Sequence, residues 1–367
     1  MDASLLIHPG FWDDPEPVAA EALREIPELM GHILFETSGS SGVPKQVAIS
    51  KRALLVSAAA VNRHLQITPE SCWGLALPLQ HVGGVGVVAR AYEAGCALKI
   101  FHPRWEVAAF ERWLGEGAVT HTALVPTQVY DLVKARLTAP GSLRAVVVGG
   151  GLLDSATGQA ARRLGWPVLA SYGMSETGSQ VATQGLDALA SIYQPWPLPL
   201  LPIWETRTAP DSQLELSGPA LFSGYVSNGS FAPRIGAWHA TADRVILEDR
   251  TITLLGRADS LVKILGELVD PEAIERELLS LSGGALIPGT FAVIPVPDER
   301  SGNSLIPIFE SGTAPAVIAS TLASYQSEAP GFRRLGPGLV IDKFPRSGLG
   351  KLRRGDLLKI YQEKNHP

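Results

Sequence analysis

The residues best equipped for chemistry sit in short polar stretches between apolar ones. The first is Thr37-Ser38-Gly39-Ser40-Ser41-Gly42-Val43-Pro44-Lys45, which combines hydroxyls, glycines and a closing lysine. Such a loop offers backbone N–H groups, rotatable donors and one cation, a set that suits a polyphosphate. The same composition would serve a flexible turn. The apolar run His32–Phe35 before it and the closing Pro-Lys favour the anion cradle. Two better-known patterns fail here. A Walker loop ends in Gly-Lys-Ser/Thr, whereas Pro44 precedes Lys45 and Gln46 follows it. A nucleophile elbow requires Gly-x-Ser-x-Gly. Neither Gly39-Ser40-Ser41-Gly42 nor Gly173-Met174-Ser175-Glu176-Thr177-Gly178 has that spacing.

Four further stretches could carry chemistry. Gly149-Gly150-Gly151 follows an apolar run and would let a backbone approach a planar ligand closely, or simply make a tight turn. Ser171-Tyr172-Gly173-Met174-Ser175-Glu176-Thr177 puts an aromatic face, hydroxyls and a carboxylate together. Tyr172 could stack on a base and Glu176 could offer oxygen to Mg²⁺. Asp243 could accept from two ribose hydroxyls, although loop aspartates more often form caps and turns. Pro345-Arg346-Ser347-Gly348-Leu349-Gly350-Lys351 presents one lysine on a glycine loop, or forms a solvated basic tail with Arg353 and Arg354.

These stretches need a scaffold, and the composition supplies one. The 367 residues make one large or two ordinary domains, and 46% of them are hydrophobic. A net charge of −5 argues against nucleic acid or an anionic membrane as the main partner, without excluding a local basic pocket. The two cysteines, Cys72 and Cys96, make neither a disulfide framework nor a metal cluster. No signal peptide or membrane-spanning run is visible, so a cytoplasmic protein is expected.

A short helix is expected over Val18–Glu25. From Ile33 onward strands and helices alternate. Helices are expected at Lys51–Leu65, Val82–Tyr92, Val107–Gly115, Thr127–Leu137 and Leu152–Leu164. Strands are expected at Gly74–Leu79, Ala97–Phe101, Val119–Val125, Ala145–Val148 and Val168–Ser171. Continuous apolar strands between helices indicate a mostly parallel sheet with covered faces. Ligands of such sheets lie at the carboxyl ends of the strands, which is where the glycine run and the Tyr172–Thr177 stretch fall. After about Leu200 short strands with turns dominate. Beyond Gly256-Arg257-Ala258-Asp259 comes an α+β segment with helices at Pro271–Leu281 and Pro315–Ser327. The fold class is therefore α/β: a large N-terminal domain with a β-rich portion, residues 1–257, and a small, mobile C-terminal α+β domain, residues 258–367.

Taken in order, Thr37–Lys45, Ser171–Thr177, Thr241–Arg244, Gly256–Asp259 and Pro345–Lys351 resemble the successive motifs of the adenylate-forming superfamily of acyl- and aryl-CoA ligases. Leu77-Pro78-Leu79-Gln80-His81, Val119-Thr120-His121, Val148–Gly151 and Glu176–Gln180 are similar to the 2-succinylbenzoate–CoA ligases of menaquinone synthesis. The resemblance implies an enzyme that joins a small carboxylic acid to coenzyme A through an acyl-adenylate, using ATP and Mg²⁺. It implies that Thr37, Ser38, Gly39, Ser40, Ser41, Gly42 and Lys45 cradle the β- and γ-phosphates. Gly149, Gly150, Gly151, Tyr172 and Gly173 would flank adenine. Glu176 would hold Mg²⁺, Thr177 the α-phosphate, and Asp243 and Arg257 the ribose. Lys351 would bridge the carboxylate and the α-phosphate in the first step. Asp259 matches a hinge, about which Leu261–Val269 would come in with Gly266 beside pantetheine. His81, Ser179 and Gln180 would line the acid pocket, which for a dicarboxylate needs a further cation or several donors near an aromatic slot.

Some positions depart from the pattern. Only 36 residues precede the phosphate loop, so part of the usual N-terminal region is expected to be missing. Gln46 and Ala242 stand where glycine is usual, and Leu265-Gly266 replaces a Gly-Gly pair. Two other readings stay open on this basis: an adenylating enzyme that serves a carrier protein, and a non-catalytic nucleotide-binding module. Homo-oligomerisation is also left open.

Overall fold

Extended apolar runs and amphipathic helices alternate through the first half of the chain and close into a six-stranded sheet. In the computed structural model, residues 6, 8–20, 23–37, 45–102, 104–346 and 352–365 are described. The first part begins with a short helix α1 (Pro9–Asp13), then β1 (His32–Thr37), β2 (Lys45–Ser50) and α2 (Lys51–His64). There follow β3 (Cys72–Leu75), α3 (Val82–Ala94), β4 (Ala97–Ile100), α4 (Val107–Glu116), β5 (His121–Leu124) and α5 (Pro126–Lys134). Next come β6 (Ala145–Val148), α6 (Ser155–Arg163), β7 (Val168–Tyr172) and β8 (Ala182–Thr183). The sheet order is β4-β3-β5-β6-β7-β8. Its first five strands are parallel, and β8 runs antiparallel at the edge. All four residues of β6 are buried, as a strand covered on both faces requires. Phe110 and Leu114 on α4 are fully buried, each contributing about 1.5–3 kcal/mol of transfer free energy.

Two antiparallel sheets complete this part. β12 (Gly224–Ser227) and β13 (Ser230–Pro233) extend the β1–β2 pair in the order β1-β2-β12-β13. The other has the order β10-β11-β14-β15-β9, built from β9 (Leu198–Pro199), β10 (Glu205–Thr208), β11 (Gln213–Ser217), β14 (His239–Glu248) and β15 (Thr251–Arg257). The expected α/β class with a β-rich portion is what forms. The chain separates into two compact units, Met1–Thr241 with Val245–Leu254, and Ala242–Arg244 with Leu255–Pro367. The second unit holds the hairpin β16 (Val262–Ile264) and β17 (Glu267–Val269). It also holds α7 (Pro271–Leu281), β18 (Phe291–Asp298), β19 (Gly302–Glu310), α8 (Pro315–Glu328), β20 (Leu339–Ile341) and α9 (Arg354–Asn365). Helix α7 falls where expected because Asp270 caps it and Pro271 occupies its first position.

Two local expectations are corrected and one is extended. Residues 18–20 are not helical. Pro15 and Pro17 hold the preceding chain extended, and Val18 pairs with β1, donating to the His32 carbonyl (2.8 Å) and accepting from Leu34 N–H (3.1 Å). Helix α2 starts at Lys51 as expected, and a strand precedes it. Residues 45–50 form β2, antiparallel to β1 with Thr37 opposite Lys45, and Val47, Ala48 and Ile49 are buried. Helix α6 starts at Ser155 rather than Leu152, because Asp154 accepts from Thr157 N–H (2.9 Å) and caps it. That late start leaves the glycine run in a loop at the end of β6.

Candidate active site

Three strand ends deliver the candidate residues. β3 runs out through residues 76–80 to His81, β6 into Gly149–Gly151, and β7 into the Gly173–Thr177 turn. Strand order reverses at β3, whose neighbours β4 and β5 lie on opposite sides. In open α/β sheets such a reversal opens a crevice at the carboxyl ends. Gly149 and the end of β7 are neighbours: a Cβ on Gly149 would lie 3.8 Å from the Ser171 carbonyl oxygen. Tyr172 is buried, its ring 6.3 Å from Trp196.

The turn after β7 is held by a backbone crossing. A Cβ on Gly173 would stand 1.6 Å from the Ser179 carbonyl oxygen, so only glycine fits. Residues Ser175–Thr177 form one 3-10 turn. Thr177 is fully buried, and its hydroxyl donates to the Met174 carbonyl (3.0 Å) and accepts from Met174 N–H (3.2 Å). In this structure the hydroxyl therefore secures the turn. Gly178 and then Ser179 take positive φ, +62° and +116°.

Glu176 leaves this turn toward the β1-β2-β12-β13 sheet. Its carbonyl accepts from Phe222 N–H (2.8 Å), and its Oε1 accepts from the Tyr225 hydroxyl (3.1 Å). The Tyr225 ring lies 5.8 Å from Lys45 Nζ, within cation–π range. Burial, reinforced by the Glu176 charge, raises the Tyr225 phenol above its ordinary range, so it stays a donor. His239 packs edge-on against Phe222 (4.9 Å). Burial lowers its pKa, opposed by Glu176 and aided by Arg234. Among the described residues no group of three His, Cys, Asp or Glu side chains could hold a metal. A single carboxylate does fit Mg²⁺, which retains water and takes most of its other ligands from substrate phosphates.

Of the three acid-side residues, Gln180 is buried while His81 and Ser179 are half-buried. His81 occupies the N-cap position of α3 at extended φ and ψ, without a side-chain capping bond. Ser179 Oγ accepts from Arg90 Nη2 (3.1 Å), bringing the turn after β7 against α3. Gln180 is buried; its Oε1 accepts from the Thr183 hydroxyl (2.6 Å), and its backbone carbonyl accepts from Trp204 Nε1 (3.0 Å). Gln180 is thus an internal brace here. Arg90 was not anticipated from the sequence. It is 2% exposed and forms no ion pair among the described residues. Its guanidinium lies 5.3 Å from the Trp73 ring. Arg90 Nε and Trp73 Nε1 are both buried with no hydrogen-bond partner among the described residues. Burial brings the guanidinium down to about 10, still protonated at neutral pH. The nearby His121, 5.5 Å from Trp73, is pushed by burial down to about 4 and is neutral. The available sequence signal was one basic residue in the helix Val82–Ala94, whose one other charged residue is Glu93.

In the second unit, Arg257 Nη1 donates to Asp243 Oδ1 (3.2 Å), and its Nε and Nη2 reach Asp259 (2.8 and 2.6 Å). Asp243, Arg257 and Asp259 are thus joined. The hydrogen bond from Arg257 to Asp259 leads the causes that raise the guanidinium pKa further. Gly266 turns the β16–β17 hairpin at φ +92°, and Leu265 beside it takes φ +52° while 57% exposed. Arg346 and Leu352 form an antiparallel bridge on either side of the segment that carries Lys351. Lys351 itself lies outside the described residues, as do Ser38, Gly39, Ser40, Ser41, Gly42 and the side chain of Thr37.

Comparison with known proteins agrees with this layout. A family profile described as AMP-binding enzyme matches residues 32–226. The 2-succinylbenzoate–CoA ligase of Escherichia coli is 31% identical over 278 residues, covering 75% of this chain and 57% of the relative. That of Salmonella typhimurium is 31% identical over 276 residues with the same coverage. The chain therefore spans 57% of the length of these two relatives. A solved structure of an arginine-to-lysine variant of E. coli MenE with bound OSB-AMS is 26% identical, with a TM-score of 0.74 over 91% of this chain and 69% of that one. ATP-bound MatB from Rhodopseudomonas palustris, 24% identical over 90% of this chain and 68% of that one, shares the fold with a TM-score of 0.76. With the phosphate-loop strands, the glycine run and the Glu176 turn all inside the matched region, the chain belongs to the AMP-binding enzyme family.

Proposed function

We propose that the chain ligates a carboxylic acid to coenzyme A with cleavage of ATP to AMP and pyrophosphate, and that the acid is 2-succinylbenzoate. An acid oxygen attacks the α-phosphorus, the bond to pyrophosphate breaks, and an acyl-adenylate forms. The CoA sulfur then attacks the acyl carbon and AMP leaves. The reacting anions repel each other, so fixed donors and cations must meet the charge as it builds. In this reading Lys45 and the loop before it hold the departing phosphates, and Glu176 offers one oxygen to Mg²⁺. Gly149–Gly151 and Tyr172 border the adenine, and Asp243, oriented by Arg257, accepts from the ribose. Lys351 approaches for the first step. Asp259 is the hinge by which residues 258–367 exchange Lys351 for the Leu261–Val269 hairpin. The surroundings are cytoplasmic and the partners are small molecules.

The observation that carries the choice of acid is the buried guanidinium of Arg90, set against Trp73 and hydrogen-bonded to Ser179. A cation held out of water without a carboxylate partner is costly. A second carboxylate on an aromatic acid would compensate it and stack beside the indole. The names of the relatives support the same acid. The test is pyrophosphate release with ATP, Mg²⁺ and CoA across 2-succinylbenzoate, benzoate, other aryl acids and fatty acids. 2-Succinylbenzoate should exceed benzoate by at least about a hundredfold in kcat/KM, as expected when a buried polar group loses its partner. Preference for a monocarboxylic acid would overturn the acid, and no release from any acid would overturn the reaction.

A further inference from the structure

Glu176 and Lys45 come from separate parts of the chain, and Tyr225 touches both. Its hydroxyl donates to Glu176 Oε1 at 3.1 Å, and its ring centroid is 5.8 Å from Lys45 Nζ. The contact is built into sheet register. β12 pairs antiparallel with β2, with Gly224 opposite Ala48, Tyr225 opposite Val47 and Val226 opposite Gln46. Lys45 begins that same β2 strand. The other side of the contact is anchored by Phe222, whose N–H binds the Glu176 carbonyl and whose ring packs 4.7 Å from that of Tyr225. Glu176 is thus fixed both at its backbone and at one carboxylate oxygen.

We propose that Tyr225 is a positioning residue for the magnesium–nucleotide complex. Its hydroxyl holds one oxygen of Glu176 so that the other is presented to the cation, and its ring keeps the Lys45 ammonium on the same pair of strands. This rests on the reading of Glu176 as the magnesium carboxylate. A carboxylate that must freeze its own rotation on binding metal loses affinity; one already held by a phenol does not.

The test uses the full chain and calorimetric binding of ATP, with and without Mg²⁺, for Tyr225→Phe, Tyr225→Leu, Glu176→Gln and the Tyr225→Phe/Glu176→Gln double variant. Thermal midpoints control for folding. Tyr225→Phe keeps the ring and should weaken Mg·ATP binding about tenfold, the scale of one hydrogen bond to a charged group. It should leave metal-free ATP binding unchanged. Tyr225→Leu should also weaken metal-free ATP, through Lys45. In the Glu176→Gln background, Tyr225→Phe should change nothing further. In turnover, Tyr225→Phe should raise the Mg²⁺ concentration for half-maximal rate and the KM for Mg·ATP more than it lowers kcat. Loss of Mg²⁺ dependence in Glu176→Gln with none in Tyr225→Phe would overturn the proposal alone. Unchanged Mg²⁺ dependence in Glu176→Gln would overturn the proposal together with the reading it rests on.

Discussion

At the residue scale, Arg90 sets stability against recognition. Its guanidinium is nearly inaccessible, stays protonated, and is hydrogen-bonded to Ser179 rather than to a carboxylate. A buried charge with no ion partner carries a desolvation cost that an apolar side chain of similar volume does not. Arg90→Met should therefore keep or raise the thermal midpoint. It should also raise the KM for 2-succinylbenzoate at least about tenfold while leaving any slow turnover of benzoate unchanged, the loss of one charge-assisted contact. Unfolding curves and initial rates on the two acids check this together. A variant that loses stability and both activities alike would assign Arg90 to the core rather than to the acid.

At the element scale, the loop that carries Glu176, Thr177 and Ser179 owes its shape to one crossing. The 1.6 Å gap between a Cβ on Gly173 and the Ser179 carbonyl oxygen is far below any allowed contact, and the obstacle is backbone. Gly173→Ala must therefore push the β7 end and the turn apart. The cost should meet or exceed the roughly 1–3 kcal/mol typical of overpacking. Gly149→Ala is the matched control, since its Cβ would meet nothing closer than 3.8 Å. Its effect on stability should stay within about 1 kcal/mol. Denaturant midpoints of the two variants side by side decide the matter, and equal values would refute the crossing argument.

At the scale of the whole molecule, the proposed chemistry separates along the chain. The phosphate-loop strands, Glu176 and Arg90 belong to the first unit, while Asp243, Arg257, Asp259 and the hairpin around Gly266 belong to the second. Arg354, three residues after Lys351 in sequence, braces the second unit by donating to both oxygens of Glu275 at 2.7 and 2.8 Å. If Lys351 serves only adenylation, Lys351→Ala should reduce pyrophosphate release by about 10²–10³, the scale of losing one charge-stabilising donor. Thioester formation from a supplied acyl-adenylate should change by less than about threefold. Single-turnover assays of each half-reaction read this directly, and parallel loss of both would reject the division of labour.

The sequence by itself determined which stretches are strands and helices in the parallel sheet, because a continuous apolar run flanked by turn residues admits few alternatives. It also located the glycine run and the Glu176 carboxylate beyond strand ends, since neither fits a strand buried on both faces such as β6. Only the tertiary structure decided what those residues touch. Val18 became a bridge partner because a neighbouring strand offered unpaired backbone, a fact local propensity does not contain. Thr177 and Gln180, to which the resemblance gives binding roles, are satisfied internally by Met174 and Thr183. Arg90 and Tyr225, unremarkable in their own neighbourhoods, meet Ser179 and Glu176 across 89 and 49 residues of chain. Such contacts depend on strand order and register, which are set by the packing of the whole sheet and not by the residues on either side.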